Sequence, residues 1–362
     1  MTSQSKNLHR FWYGKRVLLT GHTGFKGGWA GAWLKHMGAE VHGFSLAPET
    51  EPGLYGLLNI PYASEYIADL RDRDAVANAV KAIDPQLVLH MAAQPLVRRG
   101  YREPVETMAT NVMGTAHLLD ALRASENLLG ALIVTSDKAY DNDSYDQAHG
   151  DVIFREGDAL GGRDPYSASK GAQEIVTRSF GQSFFREKNI PVVTARAGNV
   201  IGGGDWSEDR LMTDIITAIA TNQPVILRSP DATRPWQHVL EPVAGYLMFL
   251  QAAVERRVEE TTLNFGPDSS NTVAEVVDLM LAHWGSNSGR VTEDKGDGKK
   301  EARTLALDSS LAKSALGWQP RLDLASCIEW IVQWHKAQLA GQTMTKITAA
   351  QVASYEDLMD RK

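Results

Sequence analysis

Three glycines spaced three apart, in Gly21-His22-Thr23-Gly24-Phe25-Lys26-Gly27, stand between a short apolar run and a helical stretch. The run before them, Arg16–Thr20 (RVLLT), has the continuous apolar character of a strand buried on both faces. After them, 29–40 (WAGAWLKHMGAE) reads as a helix and 41–46 (VHGFSL) as a second short strand. Strand, glycine turn, helix, strand is a βαβ unit. Glycines in its first turn permit a tight bend and close backbone approach to a pyrophosphate. The helix N-terminus adds free N–H groups and a favourable dipole. A glycine trio alone is a weak signal; its place in the first βαβ unit makes it a strong one for a dinucleotide. A merely tight strand–helix turn is the competing reading.

The alternation continues. Residues 73–84, 111–126 and 166–189 read as helices, and 87–93, 130–136 and 192–200 as strands. The expected fold is therefore α/β, a doubly wound parallel Rossmann-type sheet over residues 1–200. The rhythm breaks after Val200. Residues 202–209 read as a loop, and 211–222, 272–284 and 325–338 as helices, with Thr272 and Glu275 spaced as a capping box. Residues 285–300 are polar and glycine-rich and are expected to form a mobile loop. Residues 201–362 should form mostly a smaller substrate-binding lobe, with some late strands returning to the sheet.

Composition narrows the class. In 362 residues, 43% are apolar and 22% charged, which excludes a disordered chain. The net charge of −7 speaks against a nucleic-acid partner. Cys327 is the single cysteine, so neither an intramolecular disulfide nor a multi-cysteine metal site is available, and no metal is expected. No apolar run approaches the ~18 residues of a membrane span. The first sixteen residues are polar and basic without an apolar signal core, so the expected location is the cytoplasm.

Tyr166-Ser-Ala-Ser-Lys170 is the one Y-x-x-x-K in the chain. Residues four apart share a helix face. An ammonium beside a phenol lowers its pKa and makes a usable base near neutral pH. Ser136 ends the preceding strand, where a hydroxyl can donate to a substrate oxygen beside Tyr166. Asp137 and Lys138 follow; simple hydride transfer requires neither, and together they offer further proton transfers. Their bland reading is a loop cap and a solvated lysine. Asp69-Leu70 follows a third strand and suits an adenine contact or a helix cap; Ala92 and Ala93 allow close passage of a ribose or simply pack. No acid follows the second strand at Phe44-Ser45-Leu46-Ala47, which leaves NAD against NADP open. Lys26 either assists a phosphate or is solvated.

The order G-x-x-G-x-x-G, Asp69-Leu70, Ala92-Ala93, Asn111, Ser136, Tyr166/Lys170 resembles the extended short-chain dehydrogenases that act on nucleotide sugars. The resemblance covers nearly the whole chain. Within that family it is similar to the 4,6-dehydratases. The thymidine-linked members carry Thr-Asp-Glu where this chain has Ser136-Asp137-Lys138. That departure, with GHTGFKG, AQPLVRRGY and RPWQHVLEP, resembles the branch acting on cytidine diphosphate (CDP) hexoses. The resemblance implies NAD as cofactor, held by Gly21, His22, Thr23, Gly24, Phe25, Lys26, Gly27, Ser45, Leu46, Asp69, Leu70, Ala92, Ala93, Gln94, Asn111, Thr135, Tyr166, Lys170 and Ala197. It implies catalysis by Ser136, Asp137, Lys138, Tyr166 and Lys170. The nucleotide sugar would meet Gln94, Ser136, Asn199, Arg210, Arg234, His238 and Arg303. His238 has a core hydrogen-bonding role as its alternative, and Arg210 and Arg303 have surface ion pairs. Homodimers or homotetramers built through the helices near 107–126 and at Tyr166 are implied, as is a place on the way to dideoxyhexoses of surface polysaccharide. The rival readings are a nucleotide-sugar 4-epimerase or reductase, which needs no acid–base pair after the serine, and a non-catalytic dinucleotide-binding regulator.

Overall fold

The computed structural model describes residues 3–141, 152–227, 229–292 and 306–361. Seven strands form one sheet: β1 (Arg16–Thr20), β2 (Glu40–Ser45), β3 (Ser64–Ile67), β4 (Leu87–His90), β5 (Gly130–Val134), β7 (Val192–Ala197) and Thr262–Phe265. A short β6 (Ile153–Phe154) pairs outside it with Ala306–Leu307. The order across the sheet is Thr262–Phe265, β7, β5, β4, β1, β2, β3, and every pairing is parallel. This is the doubly wound arrangement expected.

Both faces of the sheet are covered, and the strand residues divide between them with period two. Val17, Leu19, Leu87, Leu89, Leu132 and Val134 join one core with Trp12, Trp29, Trp33 and the helix Leu240–Val254. Leu18, Val88, Ala131 and Ile133 join the other with Val76, Val80, Leu118, Leu122 and Phe185. The chain runs outward from β1 to β3, then returns to place β4 on the other side of β1. That reversal opens a crevice at the carboxyl ends of β1 and β4, where ligands bind in open α/β sheets.

Several boundaries differ from expectation for local reasons. Helix α2 begins at Phe25, not Trp29, because Gly24 is its N-cap. The strands β4 and β5 end at His90 and Val134, after which the backbone turns aside. Strand β7 stops at Ala197, and Val200–Ile201 pairs with Gln237–His238 instead. The helix Pro165–Phe180 passes into a π turn at Gly181–Phe185, and Gly114–Leu122 is preceded by a π turn at Ala109–Met113. Residues 285–300 were expected as loop; Arg290–Thr292 forms a strand against Val225–Leu227, and 293–300 lie outside the described residues. The capping box at Thr272 and Glu275 is present, with both of its hydrogen bonds.

Among the described residues, three helices of nine or more residues carry no counterpart in the expectations: α1 (Gln4–Trp12), Leu240–Val254 and the C-terminal Met344–Asp360. The first packs on the last and the last on α2, and Trp12, Trp33 and Tyr355 are completely buried there. A separate apolar cluster of Ile215, Val276, Val277, Met280, Cys327, Ile328 and Ile331 forms the core of the smaller lobe. Among the described residues no helix is long and apolar enough to cross a membrane.

Candidate active site

The glycine turn is built for close approach. Gly21 has φ 77°, and a Cβ there would lie 2.7 Å from the Ala92 nitrogen. A Cβ on Gly27 would lie 2.0 Å from the Gly21 carbonyl oxygen. Gly24 supplies no side-chain cap to α2, so the first-turn N–H groups of this twelve-residue helix have no capping side chain and face the crevice end of β1. The Thr23 hydroxyl donates to the Leu46 carbonyl at 2.9 Å and lies 2.7 Å from Ser45 Oγ, which ties the turn to the end of β2. Phe25 is partly buried against the core. These features fit a dinucleotide pyrophosphate.

His22 and Lys26 behave differently from the rest of the turn. The His22 ring is fully buried, 3.1 Å from Glu65 and edge-on to Tyr55 and Tyr62, and burial lowers its pKa. It packs beneath β2 and β3. Burial pushes the Lys26 ammonium down to about 8, with Arg210 adding to the effect and Asp137 and Asp205 opposing it. Those neighbours place Lys26 on the catalytic side of the turn.

The helix Pro165–Phe180 starts at a sharp cap: Asp164 accepts from the Ser167 nitrogen at 3.0 Å and Pro165 occupies the first turn. This sets Tyr166 and Lys170 one turn apart, both buried, against the end of β5. Burial pushes the Tyr166 phenol up to about 12, while the Ser136 hydroxyl and the Arg210 charge pull it down. Burial pushes the Lys170 ammonium down to about 7, reinforced by Lys26 and opposed by Glu174. Ser136 Oγ donates to Asp137 Oδ1 at 2.9 Å and accepts from the Lys138 nitrogen at 3.2 Å. Asp137 is buried, and its Oδ2 has no hydrogen-bond partner. Burial raises its pKa, against the pull of Lys138, Ser136 and Arg234. Lys138 is half-buried in the 3₁₀ turn Asp137–Ala139.

Behind the site runs a buried hydrogen-bonded chain that the sequence did not announce. The Thr20 hydroxyl accepts from the Met91 and Ala92 nitrogens, so its own hydrogen goes to His90 Nδ1 at 2.7 Å. His90 Nε2 then donates to Thr115 Oγ1 at 2.9 Å; burial holds the ring neutral, with its pKa lowered to about 3. Thr115 donates to the Asn111 carbonyl at 2.7 Å and accepts from Gln173 Nε2 at 2.8 Å. That orientation turns Gln173 Oε1 toward Lys170 Nζ, which donates to it at 2.8 Å and to the Val134 carbonyl at 3.3 Å. A second network joins the helix to the sheet: Glu174 accepts from Arg196 at 2.8 and 3.1 Å, from Thr135 at 2.5 Å and from Thr194 at 2.7 Å. A polar residue inside an apolar strand run, as His90 and Arg196 are, was the available signal.

The remaining expected residues divide. Arg210 and Arg234 reach the site: both act on its charged groups, and the buried Arg210 Nε has no hydrogen-bond partner. Asn199 follows β7, and its carbonyl accepts from the Gln237 nitrogen. Ala92, Ala93 and the buried Ala197 line the strand ends, and Leu46 is exposed at the end of β2. Asp69 is gripped by Arg71 through both carboxylate oxygens, which holds its pKa below the usual range; Leu70 packs near Gly114. Asn111 accepts from the Gln94 nitrogen at 2.8 Å and donates to Ser169 Oγ at 2.9 Å, bracing this crevice wall.

Three of the expected residues have side chains engaged within the protein. The Gln94 side chain is committed internally, donating to Thr107 Oγ1 and accepting from the Leu96 nitrogen. The Thr135 hydroxyl donates to Glu174. His238 is wholly buried between the Trp29 and Trp330 rings, accepts from the Leu240 nitrogen, and has its pKa lowered to about 3 by burial, which is the packing its alternative core role describes. Arg303 lies outside the described residues.

Comparison with known proteins gives a consistent picture. The chain is 42% identical over 354 residues to the CDP-glucose 4,6-dehydratase of Salmonella typhimurium, covering 95% of this chain and 97% of that one. It is 25% identical to a dTDP-glucose 4,6-dehydratase of Escherichia coli, over 88% and 92% of the two chains. Among solved structures, an epimerase of Methanothermobacter thermautotrophicus superposes with TM-score 0.79 at 21% identity, over 94% and 97% of the chains. The UDP-glucose 4-epimerase of Stenotrophomonas maltophila, solved with bound NAD, superposes with TM-score 0.76 at 22% identity, over 90% and 99%. The sequence profile of one family, GDP-mannose 4,6 dehydratase, matches residues 18–331. A parallel sheet with its glycine turn and Tyr166–Lys170 pair at one crevice, matched along nearly its full length, makes the chain a member of the GDP-mannose 4,6 dehydratase family of nucleotide-sugar dehydratases and epimerases.

Proposed function

We propose that the protein is an NAD-dependent hydro-lyase that converts CDP-glucose to CDP-4-keto-6-deoxyglucose. The observation that carries this reading is the run Ser136-Asp137-Lys138 at the end of β5, an acid and an amine set beside the buried Tyr166–Lys170 pair. The nucleotide assignment rests on the 42% identity to the Salmonella enzyme.

The turn Gly21–Gly27 and the open N-terminus of α2 hold the cofactor pyrophosphate, and Lys170 holds the ribose. With NAD bound there, C4 would give up its hydride to the nicotinamide and C6 would receive it back. Tyr166 Oη takes the proton from sugar O4, and the Ser136 hydroxyl orients that oxygen. Arg210 places positive charge near the phenol and favours its ionised form. The resulting ketone acidifies C5–H. Lys138 removes the C5 proton and returns it after C6 is reduced. Asp137, kept in the acid form by burial, protonates the departing C6 hydroxyl, which leaves as water. The proton gained by Tyr166 balances the proton lost by Asp137. Arg234, beside Asp137, and Asn199 are assigned to the substrate diphosphate, where a guanidinium fork can donate in pairs.

Pairing of two copies follows the same reading. Met113 and Ile175 are large apolar side chains exposed on the two helical segments named for the interface, and Val105 is exposed just ahead of the first. A cytoplasmic location and a role ahead of dideoxyhexose formation belong to the proposal as well.

Incubation with CDP-glucose and NAD, followed by base, tests it: a 4-keto product absorbs in the near ultraviolet and an epimerised sugar does not. CDP-galactose as the sole product would establish the epimerase instead. Running UDP-, GDP- and dTDP-glucose in parallel tests the nucleotide.

A further inference from the structure

We propose that His9, His36 and Glu356 form a binding site for one divalent transition-metal ion of the zinc type, remote from the catalytic crevice. The three side chains come from three helices that are distant in sequence: α1, the last turn of α2, and Met344–Asp360. His9 Nε2 stands 2.9 Å from Glu356 Oε1, and His36 Nε2 stands 3.4 Å from Glu356 Oε2. One donor atom of each residue lies within 4.8 Å of the other two. Zinc bound to imidazole at ~2.0–2.1 Å and carboxylate at ~2.0–2.2 Å separates tetrahedral neighbours by about 3.3 Å. The two measured spacings, each to a different oxygen of the Glu356 carboxylate, lie on either side of that value.

A supporting contact fixes the carboxylate. Trp33 Nε1 donates to Glu356 Oε1 at 2.7 Å, which orients the group from behind as outer hydrogen bonds do at metal sites. Glu356 is mostly buried while the two imidazoles are about one-third exposed, at 38% and 33%. An ion can therefore reach the site, and water can fill a fourth position. Two imidazoles with one carboxylate is a zinc donor set; magnesium and calcium require more oxygen ligands. His36 ends α2, eleven residues from Phe25, or about 16 Å along the axis. The ion would clamp α1 and the C-terminal helix to α2, as a structural staple.

The metal-free full chain should be titrated with zinc chloride against a chromophoric chelator, with thermal unfolding followed alongside. The expected result is one zinc per chain and a raised unfolding midpoint. His9→Gln and His36→Gln should each weaken binding by about tenfold or more and abolish the midpoint shift. His283→Gln removes an exposed histidine elsewhere and should leave both unchanged. Absence of stoichiometric zinc binding, or wild-type affinity in His36→Gln, would overturn the proposal. In that case the imidazoles only hydrogen-bond to Glu356.

Discussion

Lys170 Nζ donates to Gln173 Oε1 across 2.8 Å, and the opposite face of that same amide is held by Thr115. The lysine that sits beside the proposed catalytic phenol is therefore positioned by a neutral side chain three residues along its own helix. Replacing Gln173 with Leu removes a hydrogen bond to a charged group, worth about 1.5–3 kcal/mol. The expected outcome is a turnover roughly 10–100-fold lower, with a shifted pH profile. Gln173→Glu keeps the acceptor and should restore much of the rate. Single-turnover cofactor reduction across pH reads this directly.

Tyr166→Phe keeps the packed ring and deletes one hydroxyl. Loss of the proposed base should cost about 10²–10⁴ in the first oxidation. Calorimetric binding of CDP-glucose should persist, since its diphosphate contacts are assigned elsewhere. Near-normal turnover would remove the tyrosine from this role.

Lys138→Met separates elimination from oxidation. The variant should lose about 10²–10⁴ in solvent-deuterium exchange at C5, measured on an independently prepared 4-keto sugar. Using that substrate bypasses the Tyr166 step. Exchange at the wild-type rate would leave Lys138 a solvated turn residue.

Glu174→Gln tests the buried ion pair with Arg196. Breaking one side of such a pair strands a charge, at a cost of about 3–5 kcal/mol. Arg196 also stacks 4.6 Å over the Tyr140 ring, a contact that survives the change. The urea midpoint should fall steeply, while the double variant Glu174→Gln/Arg196→Met should recover part of the loss.

Acid–base linkage gives a signed prediction. Lys170 and Lys26 titrate in the folded protein at about 7 and about 8, below the ordinary 10.5. The unfolded chain therefore binds more protons across this range, and stability without cofactor should rise with pH from 7 toward 10. Tyr166, pushed up to about 12, reverses the sign above 10, because the unfolded phenol ionises first. Urea midpoints at pH 7, 9 and 11 should trace a maximum. Lys26→Met should flatten the rising limb.

The Tyr166–Lys170 pair and the glycine turn were legible because each is local: two residues four apart on a helix face, seven residues in a turn. Lys138 and Asp137 were legible for the same reason. The chain from Thr20 through His90 and Thr115 to Gln173 was not, since it joins residues far apart with no shared period. His238 carried both a ligand and a core reading because sequence does not show that Trp29 and Trp330 enclose it. The helix Leu240–Val254 escaped notice because it is buried on every side, which erases the amphipathic stripe that marks a surface helix. Helix α1, with Leu8 and Trp12 one turn apart, had such a stripe and needed only to be sought.

The strand Thr262–Phe265 lies beside β7, although residues both before and after it build the smaller lobe. The lobe is thus sewn into the sheet rather than appended to it. A fragment ending near residue 200 would bare the β7 edge and one face of the core, and would invite aggregation. Exchanging substrate lobes between relatives as cassettes would fail for the same reason. New sugar specificity in this architecture must come from side chains on an inherited frame, not from shuffling of modules.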